Sequence, residues 1–94
     1  MEKAIVVTTD RRGVFFGYVP ENADLTQTTL RLQRVRMCVY WRGIRGVMGL
    51  AASGPTDECR VGPPAPAMLL HQINGVMEVS DEARAAWEKA PWKL

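Results

Sequence analysis

The chain has 94 residues, 47% hydrophobic and 23% charged, with a net charge of +2; that is room for one core, and residues 1–94 are expected to form a single domain. No run approaches the roughly 20 apolar residues of a membrane span, and the opening MEKAIVVTTD lacks the basic-then-apolar layout of a secretory signal, so a cytoplasmic protein is expected. The basic excess is too small for a non-specific binder of duplex nucleic acid.

Residues 3–9, KAIVVTT, are β-branched and weakly alternating, which predicts a strand. DRRG then predicts a turn into a return strand over 14–19, closed by Pro20. Gly17 inside that strand marks a bulge or a close backbone approach. Asp24 is a good helix N-cap, and Leu25, Thr28, Leu32 and Val35 recur near helical spacing, although three threonines oppose it; a short helix over 25–33 is expected. From Arg34 the period becomes two. Val35, Met37, Val39 and Trp41 are expected to face the core, with Arg34, Arg36, Cys38 and Tyr40 on the opposite face. Arg42-Gly43-Ile44-Arg45-Gly46 reads as a turn, and 47–52, VMGLAA, as the partner strand. Residues 53–67 form a loop by their four prolines and two glycines. A last strand over 73–79 leads to Ser80, the cap of a helix over 81–90 with Ala83, Ala86, Trp87 and Ala90 as its apolar stripe and Pro91 as its stop. Trp92 and Leu94 are expected to dock on this chain or a neighbour. The sum is an α+β domain: an about five-stranded curved antiparallel sheet or small open barrel, with a helix across it.

The chemistry is defined largely by what is missing. His71 is the one histidine, and no nucleophile motif accompanies it, so a surface or capping role is the simpler reading. Asp57-Glu58 and Asp81-Glu82 are the adjacent acid pairs, with simple roles in a loop and in a helix's first turn. GPTDECRVGPP lacks the spacing of a phosphate-binding loop. Cys38 and Cys59 lack zinc-site pairing and are expected to be free thiols. A protein that is not an enzyme, with no metal and no cofactor, is expected.

Charge distribution is more informative. Five arginines (31, 34, 36, 42 and 45) and no acid occupy Leu25 to Thr56, and nine of the twelve basic residues are arginine, the type suited to bidentate contact with carboxylate or phosphate. A hairpin over 34–52 would carry Arg34 and Arg36 on one face and Arg42 and Arg45 at its tip. Gly43 and Gly46 would open the main chain there, and Tyr40 and Trp41 would stand beside the charges. These eight residues are the candidate binding site. The plainer alternative makes Trp41 core, the glycines a turn and the charge a solvated face.

RGVFFGYVP at 12–20, RMCVYW at 36–41, RGVMGLAASGPTDECRV at 45–61 and VMEVSDEARAAWEKA at 76–90 together resemble a family of small bacteriophage-encoded proteins of unknown function. The resemblance implies a host-cytoplasmic protein that acts by binding. The expected function is counter-defence or host modulation by an oligomeric binder of an anionic small molecule, such as a signalling nucleotide. Its alternatives are an accessory factor that contacts an acidic protein surface, and a minor virion component.

Overall fold

The structure is a computed structural model, and it describes residues 2–10, 13–42 and 46–91. The fold is α+β: a curved, open antiparallel sheet with one helix in mid-chain and one at the C-terminal end. Strands β1 (Glu2–Thr9), β2 (Val14–Pro20) and β3 (Leu30–Tyr40) come first, then helix α1 (Val47–Ala52). Strands β4 (Arg60–Val61), β5 (Ala65–Leu70) and β6 (Ile73–Glu78) follow, and helix α2 (Asp81–Lys89) ends the order. The pairing order is β4-β3-β2-β1-β6, and β5 also pairs with β3. β5 and β6 therefore lie on opposite sides of the β3-β2-β1 ribbon, yet only His71 and Gln72 separate them. Two linking residues span at most about 11 Å, so the sheet must curl until its two flanks approach.

Curling gives β1 and β2 two buried faces. Ala4, Val6, Phe16 and Tyr18 join the cluster beneath the helices, with Trp87 at its centre. Ile5, Val7, Phe15 and Val19 join a second cluster with Leu30, Leu32 and Val35. Gly17 faces that second cluster, where a Cβ would lie 2.7 Å from Leu32 Cδ2. The close approach expected at Gly17 is there, and so is the bulge. The β2–β3 register shifts between Phe16 and Tyr18, so that Gly17 stands opposite both Arg34 and Val35. Arg34 absorbs the extra residue with φ of 49°.

Three expected elements are corrected. No helix covers 25–33: Asp24 accepts from the Thr26 N–H and Thr26 hydroxyl and from Gln27 Nε2, closing a local turn, and β3 begins at Leu30. Those three bonds hold the Asp24 carboxyl down at about pH 2. Leu25 packs against the second cluster from this loop. The proline-rich stretch contains β4 and the first half of β5, with Pro66 tolerated because β5 ladders on one side only.

Residues 47–52 form helix α1, not a strand, so the expected hairpin over 34–52 does not exist. A six-residue helix is too short to stabilise itself, and tertiary donors complete it. Gly49 O accepts from the N–H groups of Ser53 and Gly54, Leu50 O from Trp87 Nε1 at 2.8 Å, Ala51 O from Ser80 N, and Ala52 O from Ser80 Oγ at 2.7 Å. Gly54, at φ of 84°, lets the turn after α1 touch α2; a Cβ there would meet Ala86 Cβ at 2.6 Å. α2 itself matches expectation. Ser80 Oγ accepts from Ala83 N at 3.0 Å, and Ala83 and Trp87 are fully buried. Trp87 stacks on Phe16 with ring centroids 4.9 Å apart.

Candidate functional site

β2 pairs with β3 as far as Met37, opposite Phe15. Val39 and Tyr40 continue beyond that pair, and on the other edge Tyr40 stands opposite Arg60 of β4. Val39 is 54% exposed and Tyr40 48%. With Arg60 they line an open cavity of about 370 Å³. Arg60 is exposed and has no ion-pair or hydrogen-bond partner among the described residues. Arg42, two residues past Tyr40, is also exposed, and its Nε lies 3.8 Å from Glu58 Oε2. An exposed pair at that separation contributes about 0.2–1 kcal/mol, so a stronger anion can replace Glu58.

The backbone beneath this end is fixed by hydrogen bonds. Cys38 Sγ donates to Tyr40 O at 3.4 Å, Thr56 Oγ1 to Arg42 O at 3.0 Å, and Cys59 Sγ to Arg42 O at 3.7 Å. Trp41 is half-buried and packs against the helix-covered cluster. Met37 adds a 40% exposed thioether. Here the expected facing is corrected. Met37 and Val39 are exposed, while Arg36 and Cys38, expected on the opposite face, are buried among the helices. The alternation is real, but β3 runs between two cores, and past the bulge the helix-covered side is the fuller one.

The six candidate residues that are described do not form one surface. Tyr40, Trp41 and Arg42 lie together. Gly46 is exposed at the start of α1, with open space around it. Gly43 and Arg45 lie outside the described residues, as do Arg11, Arg12, Trp92 and Leu94. Arg34, in the bulge, pairs with Glu2 Oε1 at 2.7 Å and lies over the Tyr18 ring at 4.1 Å; the Glu2 bond strengthens its hold on its proton.

Arg36 belongs to the scaffold. It is 7% exposed, and its Nε donates to Gly62 O at 2.9 Å and its Nη1 to Trp87 O at 2.8 Å. In a continued helix the Trp87 carbonyl would accept from the N–H of residue 91, but that residue is proline and has none. The guanidinium takes its place and brings positive charge to the helix's negative end. Burial lowers the guanidinium's pKa.

Arg60 and Val39 are the residues that sequence reasoning missed as site members. Arg60 was hidden in the proline loop, and the one local signal was the alternation Cys59-Arg60-Val61, with apolar residues on either side of the charge.

Elsewhere, Tyr18 donates to Glu88 Oε2 beneath Arg34. Burial first, then the Glu88 contact, pushes its hydroxyl up to about 12, so Tyr18 holds its proton and serves as a donor. His71 is exposed, with Nδ1 3.4 Å from Thr29 Oγ1. Among the described residues no cluster of three or more His, Cys, Asp or Glu side chains has the proximity to hold a metal, and no helix is long and apolar enough to cross a membrane.

A family model described as a domain of unknown function (DUF6948) matches residues 2–87. No curated protein and no solved structure matches the chain.

Proposed function

The chain belongs to the family of domains of unknown function DUF6948, and from that premise we propose that it is a non-enzymatic binding module that takes a compact anionic ligand carrying a flat ring, such as a nucleotide, at the end of β3. One observation carries the reading: a half-exposed tyrosine and an exposed arginine with no partner among the described residues stand opposite each other across two strands and line one cavity. A tyrosine ring offers a stacking plane, and a guanidinium pairs with phosphate in two-point geometry. Arg42 is a second cation, two residues along. The site is smaller than the arginine ribbon expected from sequence, because Arg34 and Arg36 are engaged within the fold. The resemblance to phage-encoded proteins supports a host-modulating or counter-defence use of such binding, with assembly into homo-oligomers.

Calorimetric titration with purine mono- and dinucleotides tests this. Binding is expected to weaken as salt rises. Tyr40→Ala is expected to weaken it tenfold or more, since stacking contributes about 1–3 kcal/mol per base. A wild-type protein that takes up none of these nucleotides, and retains none on purification as judged by native mass spectrometry, overturns the reading.

A second reading has one observation in its favour. Met37 and Val39 expose apolar surface beside the Tyr40–Arg60 pair, and tyrosine and arginine are the residue types that dominate protein interfaces. An acidic protein surface is then the partner, and Met37→Ser would weaken its capture while leaving nucleotide affinity nearly unchanged, since Met37 does not line the cavity.

A further inference from the structure

The thiols of Cys38 and Cys59 belong to different elements yet sit in the same core cluster. Cys38 stands opposite Val61 in the β3–β4 pairing, so Cys59, two residues before Val61, is its diagonal neighbour on one face. The two thiols are close enough to interact, the neighbouring Cys59 adding to the upward shift of Cys38. Diagonal positions lie about 7–8 Å apart at Cα, and a disulfide takes about 4.4–6.8 Å, so closure needs a shift of about 1 Å. β4 has only two residues, and the pairing shifts register between Cys38 and Tyr40, so little ladder resists that shift. Both thiols are free.

We propose that Cys38 and Cys59 are a redox modification site, closing into a reversible intramolecular disulfide under a low-molecular-weight disulfide oxidant. Entry is at Cys59, which lines a cavity of about 210 Å³ with Thr56, Ala86, Lys89 and Pro91. The Cys59 thiolate attacks one sulfur of oxidised glutathione, forms a mixed disulfide and displaces one glutathione thiolate. Cys38, having given its proton to solvent, then attacks the Cys59 sulfur and displaces the second. Two protein thiols and one small disulfide become one protein disulfide and two small thiols, the two protons leaving on the displaced thiolates. Burial pushes the Cys38 thiol up to about 11, and the neighbouring Cys59 adds to this. The second step is therefore the slow one, and its rate should rise about tenfold per pH unit with the thiolate fraction.

Closure has a consequence for the end of β3. Cys38 and Cys59 donate S–H bonds to the carbonyls of Tyr40 and Arg42, and a disulfide has no proton to donate. Oxidation removes the thiol donor from each carbonyl, leaving Arg42 O with Thr56 Oγ1, and alters the segment that carries Tyr40 and Arg42. This consequence rests on the ligand-binding reading above; the disulfide itself does not.

The test is native full-length protein incubated with oxidised glutathione at two pH values, then intact-mass and peptide-mass analysis without reductant. The expected product has lost two hydrogens and yields one linked peptide pair spanning Cys38 and Cys59, faster at the higher pH. Cys38→Ala should accumulate glutathione on Cys59, and Cys59→Ala should resist modification. A wild-type protein that stops at the glutathione adduct, or keeps both thiols free while folded, overturns the proposal. Nucleotide titration of the reduced and oxidised forms then separates the two readings. No binding by either form sinks the ligand site and leaves the disulfide standing, whereas equal binding by both removes its link to the site.

Discussion

The middle of β3 and its C-terminal end present arginine for opposite purposes. At the bulge, Arg34 is held by Glu2 and the Tyr18 ring, and Arg36 caps the end of α2 from inside the core. At the far end Arg60 is unpartnered among the described residues, and Arg42 has only a weak carboxylate contact. A run of like charge in a sequence therefore says nothing about availability. What decides it is whether the fold has left backbone carbonyls or carboxylates for those guanidinium groups to satisfy, and here the bulge has both.

The sharpest way to break this contrast is Arg36→Met, which keeps the apolar stem and removes the donors. It strands the Gly62 and Trp87 carbonyls in a buried setting, and unsatisfied groups of this kind cost about 1–3 kcal/mol each. A loss of about 2–4 kcal/mol is expected in urea denaturation. An unchanged midpoint would return Arg36 to the surface.

Next in size is alkaline sensitivity beside the bulge. The folded-state pKa of Tyr18 is raised to about 12 from 10.0, so the protonated hydroxyl contributes stability that is fully present below pH 10 and is lost as pH climbs from 10 through 12. Two units correspond to about 2–3 kcal/mol. Tyr18→Phe should be less stable at neutral pH and should lose that part of the alkaline decline, as read from denaturation midpoints between pH 9 and about 12.

Arg34 gives a smaller effect with a finer use. Arg34→Ala loses an exposed ion pair and a ring contact, about 1 kcal/mol together. Arg34→Gly loses the same contacts but relieves the positive φ, so it should be more stable than the alanine variant by up to about 1 kcal/mol. If the two variants melt together, the bulge is not where the strand's register is set.

The legible and illegible parts of the sequence divide on similar lines. The β1–β2 hairpin, α2 with its Ser80 cap, and the crowding at Gly17 depend on neighbours close in sequence or on one-sided periodicity, and local pattern carried them. Residues 47–52 did not, because VMGLAA is helical only by virtue of carbonyl partners supplied by Ser80 and Trp87 from far along the chain. Leu30 and Leu32 fall inside the helix expected over 25–33 because the bulge at Arg34 breaks a strand's alternation where it would have been clearest. In the candidate site Tyr40 and Arg42 were legible as an aromatic beside cations. Arg36 was not separable from them, since its partner carbonyl is orphaned by a proline 55 positions later (Pro91). Arg60 was masked by the prolines around it.

The smallest expected change in stability carries the most about function. Arg60 and Arg42 are exposed, and neither fills a cavity nor satisfies a buried group, so Arg60→Ala and Arg42→Ala should each shift unfolding free energy by no more than about 0.5 kcal/mol. If the end of β3 is a binding surface, the same substitutions should weaken nucleotide affinity about tenfold for Arg60 and less for Arg42, whose charge Glu58 already shares. The opposite pattern, with stability lost and affinity kept, would mean that these guanidinium groups are tied into the fold as Arg36 is. Measured beside Arg36→Met on the same protein, the pair separates an arginine that the scaffold consumes from one that it presents.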